Sequence, residues 1–113
     1  MKVMNYLDVQ EEMAKMEGAS GVTVRWLISK KDGAKNFFMR RFEIEGWTPY
    51  HTHPYEHEVF ILSGEGTVVG EGVEHRLSPG VFCWIPADEP HQFKKTGKEK
   101  LCILCLIPHT DGR

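Results

Sequence analysis

Three of the six histidines lie close together, at positions 51, 53 and 57. Side chains at i and i+2 of an extended strand point to the same face, so His51 and His53 should aim their imidazoles at one point. Pro54 then ends or bends this strand, and His57 can return to the same point from the start of the next one. Histidine is the commonest metal ligand among side chains. The spacing therefore predicts a metal site.

A fourth histidine, His91, stands at the start of another predicted strand, after a loop that Pro86 and Pro90 constrain. A barrel built from hairpins can bring this strand start beside the first three histidines, so His91 is the expected fourth ligand. The alternative is a set of unrelated surface histidines near a turn, and the position of His91 weighs against it. His75, in a polar hairpin, and His109, in the tail, are expected to be solvated.

The composition is ordinary for a globular domain, with 113 residues, 41% of them apolar and 27% charged. The net charge of -2 gives no electrostatic reason to propose nucleic acid or an anionic membrane as a partner. No apolar run is long enough for a transmembrane helix, and residues 1–8 lack an apolar signal core. An odd number of cysteines in apolar runs predicts reduced, buried thiols in a cytoplasmic protein; they are Cys83, Cys102 and Cys105.

Most of the chain predicts short strands separated by turns. Residues 22–28 alternate apolar and polar side chains, and a turn containing Asp32-Gly33 follows. Residues 9–18 fit a short helix or, equally, an extended arm. This pattern favours an all-β sandwich or barrel. We expect a single domain over residues 1–113, with a core of about 22–107, an N-terminal arm at 1–20 and a tail at 108–113; the further strands are predicted at 36–45, 58–62, 67–69, 73–77, 81–85, 91–93 and 101–107.

Two of these strands carry apolar side chains on both faces. Residues 101–107 are apolar at seven consecutive positions. If His57 and Ile61 face inward on their strand, Phe60 and Leu62 face outward. One face of a strand in a small barrel should meet water, so we expect a second subunit of a homodimer, or the N-terminal arm, to cover the outer face. A two-sheet sandwich that buries both faces within one chain is the alternative.

Two stretches match motifs of a known family. Residues 46–64 read G-x4-H-x-H-x3-H-x6-G, and residues 80–91 read G-x5-P-x4-H. They resemble the two motifs of the cupins, small β-barrels with a metal in the mouth, which are G-x5-H-x-H-x3,4-E-x6-G and G-x5-P-x-G-x2-H-x3-N. Here His57 stands where glutamate is usual, Asp88 where glycine is usual and Lys95 where asparagine is usual. The resemblance covers roughly residues 37–107.

The details are most similar to small single-domain bacterial cupins with a four-histidine site. These share the run H-x-H-P-aromatic-E-H-E, an N-F-x-M-R-x-F strand and a C-L-I-P ending, which residues 51–58, 36–42 and 105–108 match. The resemblance implies a double-stranded β-helix, or jelly-roll, barrel that binds one divalent transition metal. Mn or Fe is favoured, and Zn, Ni and Cu also suit imidazole ligands; the implied ligands are His51, His53, His57 and His91.

The third ligand position has two candidates. Glu58 fits the longer spacing of the first motif only if the following spacer shrinks to five residues, whereas strand parity with Val59 and Ile61 favours His57. Four neutral imidazoles leave a divalent site at +2, which makes the metal a stronger Lewis acid for anionic oxygen donors. An octahedral ion with four such ligands keeps two adjacent positions open. The resemblance therefore implies an Mn- or Fe-dependent dioxygenase-like enzyme acting on a small organic substrate.

Arg40, Tyr55 and Cys105 are further candidate site residues. A buried guanidinium needs a partner, so Arg40 is either an anchor for an anionic ligand or the partner of an acid such as Glu43 or Glu58. Tyr55 and Cys105 are expected to line the pocket, where a thiol near the metal is prone to oxidation. Four more side chains are expected to face inward, where they line the pocket or pack in the core: Phe42, Phe93, Ile103 and Ile107. A metal-dependent isomerase or lyase, or a non-catalytic metal-held protein for a sugar or acid, is the alternative function.

Overall fold

Antiparallel strands make up nearly all the regular structure of the computed structural model, which describes residues 1–110. Two short 3-10 turns, Tyr6–Asp8 and Lys30–Asp32, are the other regular elements among these residues. Residues 111–113 of the predicted tail lie outside the described part. The strands are β1 (Glu12–Met13), β2 (Ser20–Ile28), β3 (Phe37–Trp47), β4 (His57–Ser63), β5 (Gly66–Gly70), β6 (Val73–Leu77), β7 (Phe82–Ile85), β8 (Gln92–Lys95) and β9 (Leu101–Pro108).

The strands form one antiparallel sheet in the order β6-β5-β8-β3-β9-β4-β7, with β2 beside β3 and β1 beside β2. Strand β3 joins the two halves, because it pairs with β9 over residues 37–44 and reaches β8 where Trp47 faces Lys94. Strand β4 lies between β9 and β7. The all-β jelly-roll prediction is confirmed.

The core lies on the inner face of this curled sheet, where alternate residues of each strand meet. Phe38 and Ile44 on β3, Ile61 on β4 and Leu101 on β9 are fully buried. Burying a side chain of this size contributes roughly 1.5–3 kcal/mol to folding, which is why the period-two pattern fixes which face turns inward. The predicted inward parity of β4 is therefore observed, and Phe93 also faces inward as expected.

Residues 9–18 form no helix, and the segment is extended beside β2, which is the second of the two forms that the sequence allowed. Arg25 holds the arm by donating from Nη1 to the carbonyl oxygen of Val9 at 2.6 Å. The backbone N–H of Ala14 also donates to the carbonyl oxygen of Val22 at 2.9 Å. A ten-residue helix is marginal by itself, and these pairings with β2 stabilise the extended form instead.

The outer face of β4, β7 and β9 is exposed. Phe60 is 44% exposed, Phe82 76% and Trp84 59%. Leu104 and Leu106 are half-buried, so the alternative in which one chain buries both faces of residues 101–107 is wrong. The N-terminal arm packs elsewhere, in a groove that Ile28 and Met39 line among others.

No helix among the described residues is long and apolar enough to cross a membrane. Cys83, Cys102 and Cys105 are unpaired thiols, as the sequence predicted, but only Cys102 and Cys105 are buried, whereas Cys83 is half-buried.

Candidate metal centre

Three histidines converge at the mouth of the barrel. One ring nitrogen from each of His51, His53 and His91 lies within 4.8 Å of the other two. The ring centroids of His91 are 4.9 Å from those of His51 and 5.0 Å from those of His53. Two nitrogens that share one ion at about 2.0–2.1 Å are no more than about 4.2 Å apart, so small movements of these rings would bring all three nitrogens onto one ion. These three side chains are therefore positioned to bind a metal ion.

His51 and His91 are brought together by backbone pairing rather than by a long strand. Each donates its backbone N–H to the other's carbonyl oxygen, at 3.1 and 3.0 Å, in a single isolated bridge. Thr48 secures this contact, because its hydroxyl oxygen accepts from the backbone N–H of Phe93 at 2.9 Å. The predicted strand through His51 and His53 is wrong, since Pro54 has no N–H to pair and the strand starts only at His57.

The orientations of His53 and His91 are set by carbonyl oxygens. Nδ1 of His53 lies 2.8 Å from the carbonyl oxygen of Tyr55, and Nδ1 of His91 lies 2.9 Å from that of Glu89. A carbonyl oxygen only accepts, so both Nδ1 atoms carry a proton. In the neutral rings the lone pairs are then on Nε2, the atoms free to bind a metal. The ring of Tyr55 also stacks on His53, with centroids 4.1 Å apart.

His57 begins β4 beside this set. Its Nε2 lies 3.1 Å from Nε2 of His91, and its ring centroid is 4.6 Å from that of His53. Because neutral His91 has only a lone pair at Nε2, this contact needs either a proton on His57 or a cation held by both. The mutually close set of three nitrogens does not include His57. Its role as fourth ligand stays a prediction.

Burial keeps the four imidazoles neutral. It lowers the pKa of His51 to about 4 and that of His57 to about 2, and repulsion from a protonated His91 acts in the same direction. Burial also lowers the pKa values of His53 and His91. Neutral imidazole is the form that binds metals, so the donor set fits a transition-metal ion.

The histidines line a cavity of about 60 Å³. A single water molecule needs roughly 10–15 Å³ of such a cavity, so there is room for an ion and a few waters or for part of a small ligand. Among the described residues, the wall contains no Asp or Glu. The other lining residues are Met16, Arg40, Phe42, Thr48, Tyr55, Phe93, Ile103 and Cys105.

Sequence comparison places this site in a known family, because the Cupin_2 (cupin domain) family matches residues 38–107. The chain belongs to the cupin family. Its structure is similar to that of the polyketide cyclase RemF from Streptomyces resistomycificus. That similarity has a TM-score of 0.92 and 32% sequence identity, and it covers 100% of this chain and 82% of the other.

A predicted oxalate decarboxylase from Thermotoga maritima is 25% identical to this cupin, with a TM-score of 0.84 over 96% of this chain and 100% of the other. Auxin-binding protein 1 of Arabidopsis thaliana is 26% identical over 114 residues, which are 93% of this chain and 58% of that protein. The cupin thus spans little more than half the length of this curated relative.

Arg40 and Cys105 form part of the cavity wall of the cupin. Nη2 of Arg40 donates to Sγ of Cys105 at 3.1 Å, and Nδ1 of His57 lies 3.3 Å from the same sulfur. The guanidinium of Arg40 also lies over the rings of Phe42 and Trp26, 4.9 and 5.4 Å from their centroids. Burial raises the pKa of the Cys105 thiol although Arg40 opposes this, so the reactive thiolate is disfavoured. Oxidation of Cys105 stays a prediction.

Neither acid considered for Arg40 reaches it. Glu43 pairs with Arg41 at 2.7 Å and with Lys100 at 3.5 Å, and Glu58 is exposed on the outer face of β4. No salt bridge to Arg40 exists among the described residues. The guanidinium therefore lies at the cavity with no salt bridge to an acid of residues 1–110.

Two residues of the cavity wall were not predicted from the sequence. Met16 reaches the cavity from the N-terminal arm, and Thr48 from the segment before the histidines. Met16 could not be predicted, because the arm has no hydrophobic period. Thr48 could have been, because a hydroxyl three positions before His51 is close to the predicted ligands in the sequence. Ile107, which was expected in the pocket, is buried in the core and does not line this cavity.

Proposed function

We propose that this cupin is a metal-dependent enzyme that acts on a small enolisable compound with two carbonyl groups. The observation that carries the proposal is the convergence of His51, His53 and His91, whose nitrogens lie within 4.8 Å of one another. We propose His57 as the fourth ligand, because its Nε2 adjoins that of His91 at 3.1 Å. Mn²⁺ and Fe²⁺ are the first metals to test.

The chemistry of such an ion is Lewis-acid stabilisation of negative charge on a substrate oxygen. The four neutral imidazoles supply no charge of their own, so they leave the full charge of the ion available to the substrate. The described residues of the wall offer no carboxylate as a general base. A substrate whose C–H is already acidic, such as a 1,3-dicarbonyl compound, needs the least help from a base, which supports that substrate class.

Two reactions fit this substrate. A dioxygenase-like reaction is the first candidate, because the four histidines of the cavity wall would hold an ion and leave its cavity side to substrate and O2. Non-oxidative ring closure is the second: the enolate carbon would attack a further carbonyl of a longer substrate, and water would leave. The 32% identity to a protein described as a polyketide cyclase favours this reaction. Apolar wall residues such as Phe42, Phe93 and Ile103 support both, because they exclude water from a reactive enolate.

Metal content and product analysis test the proposal together. His91→Ala should lose most of the bound metal in elemental analysis, whereas His75→Ala, a matched change at an exposed histidine, should keep it. Protein loaded with Mn, Fe or Zn is then incubated with a panel of diketones and phenols. O2 uptake with a product that gains two oxygen atoms identifies the dioxygenase, and loss of water without O2 uptake identifies ring closure.

Full metal occupancy in His91→Ala contradicts the assignment of the site. Absence of turnover with every metal contradicts the enzyme and favours a binding protein.

A further inference from the structure

We infer that Arg40 anchors a carboxylate of the substrate, so that the enzyme takes a dicarbonyl compound that is itself an organic acid. This inference rests on the proposed function and names the substrate class of the same site. It places the carboxylate at the guanidinium and the carbonyl groups toward the histidines.

The guanidinium of Arg40 lacks part of the hydrogen bonds that it can donate. Its Nη2 donates to the weak acceptor Sγ of Cys105, and its Nε is buried with no hydrogen-bond partner. Phe42 and Trp26 flank the guanidinium and hold it in place. A buried donor without an acceptor is unfavourable, and a guanidinium fork matches a carboxylate in a bidentate pair.

The described wall of the histidine cavity carries a positive charge that no acidic side chain in it compensates. The described residues that line the histidine cavity include Arg40 but no acid. A divalent ion on neutral imidazoles would add two more positive charges close to the guanidinium. Positive charges that share a desolvated cavity need a compensating anion. A ligand that brings its own carboxylate supplies one.

Arg40 also lies where two spaces adjoin. Arg40 lines the histidine cavity and also a neighbouring groove of about 330 Å³ beside β1. Met16, Phe42 and Tyr55 are shared by the same two spaces. Sγ of Cys105 contacts both Arg40 and His57, so the guanidinium is one side chain away from the histidines. Arg40 thus stands between the groove and the metal site, where it can orient an entering acid.

The test compares two probes on zinc-loaded protein, because zinc is not a redox metal and oxidative turnover is avoided. Acetopyruvate is a dicarbonyl acid, and ethyl acetopyruvate is its neutral ester. Calorimetric titration should show tighter binding of the acid by the wild type. Arg40→Met should weaken binding of the acid roughly 10- to 100-fold, the usual range for a charge-assisted hydrogen bond, and change binding of the ester much less.

Arg41→Met is the matched control, because it removes the same charge from the next residue of β3, on the outer face. It should leave binding of both probes unchanged, and Arg40→Lys should lie between wild type and Arg40→Met. Thermal unfolding and metal content, measured on each variant, separate loss of binding from loss of the fold.

The inference is overturned if wild type binds acid and ester equally, if neither probe binds at millimolar concentration, or if Arg40→Met and Arg41→Met behave alike. Failure of the proposed function looks different, since the wild type would then hold no metal. If the wild type holds no metal but still binds acetopyruvate in an Arg40-dependent way, the anchor stands and the metal enzyme is rejected.

Discussion

The two faces of β3, β4 and β9 differ in kind although the same strands build both. The inner face presents Arg40, His57 and Cys105 to a desolvated cavity, where Arg40 and Cys105 are paired across β3 and β9. The outer face presents Phe60 and Leu104, which are paired across β4 and β9 and are partly exposed. Neighbouring residues in a strand therefore have different environments and different roles.

Arg40 and Arg41 show this contrast most clearly, since they are identical side chains at adjacent positions. Arg41, on the outer face, pairs with Glu43 at 2.7 Å and lies 4.0 Å from the ring centroid of Tyr6 in the N-terminal arm. Arg40, on the inner face, has rings and a thiol around it but no salt bridge to an acid among the described residues. Arg41 stabilises the fold, whereas Arg40 is left available to a ligand.

The largest expected difference between the faces is in stability. Phe38 is fully buried and Phe37 is 72% exposed. Phe38→Ala should lower the free energy of unfolding by about 3–5 kcal/mol, because it leaves a cavity in the core. Phe37→Ala should change it by about 0.5 kcal/mol or less where the chain is monomeric. Urea denaturation measures both, and similar losses would mean that the face assignment is wrong.

The next difference concerns metal binding by two adjacent residues of β4. His57→Ala should weaken metal affinity by more than the roughly 10- to 100-fold that loss of an outer partner costs, because it removes a ligand. Glu58→Ala should leave affinity nearly unchanged, because Glu58 faces outward. Competition with a chromogenic chelator gives both values. Loss of affinity in the Glu58 variant alone would make Glu58 the ligand and reverse the parity of β4.

A smaller effect is expected from pH on the stability of the fold. In the metal-free protein, burial lowers the pKa of His51 to about 4 and of His57 to about 2, whereas an unfolded histidine titrates near 6.5. Between these values the unfolded chain binds more protons, so stability should fall as the pH drops below about 6.5. Urea denaturation of wild type and His57→Asn at several pH values tests this. An equal slope for both proteins would contradict the role of His57.

The strands were predictable because their signal is local. The alternation of residues 22–28 and the apolar run at 101–107 led to β2 and β9 with boundaries off by no more than two residues. The inward direction of Arg40 followed from the same period. Its lack of an acidic partner did not, because that depends on which acids share its face after distant strands have paired.

The least predictable features rest on few or distant contacts. The backbone of His51 is fixed by one bridge to His91, forty positions along the chain, so a strand-like spacing occurs there without a strand. The N-terminal arm precedes β2 and lies beside it, and its sequence has no hydrophobic period of its own. In both cases tertiary pairing decided between local alternatives of similar energy.

The most direct test of the account is anomalous diffraction from a crystal of the manganese- or zinc-loaded protein, measured at the absorption edge of the metal. We expect one peak in the cavity, about 2.0–2.2 Å from a ring nitrogen of His51, His53, His57 and His91. A cavity without a peak, or an ion held by other groups while these imidazoles stay uncoordinated, would contradict the central claim.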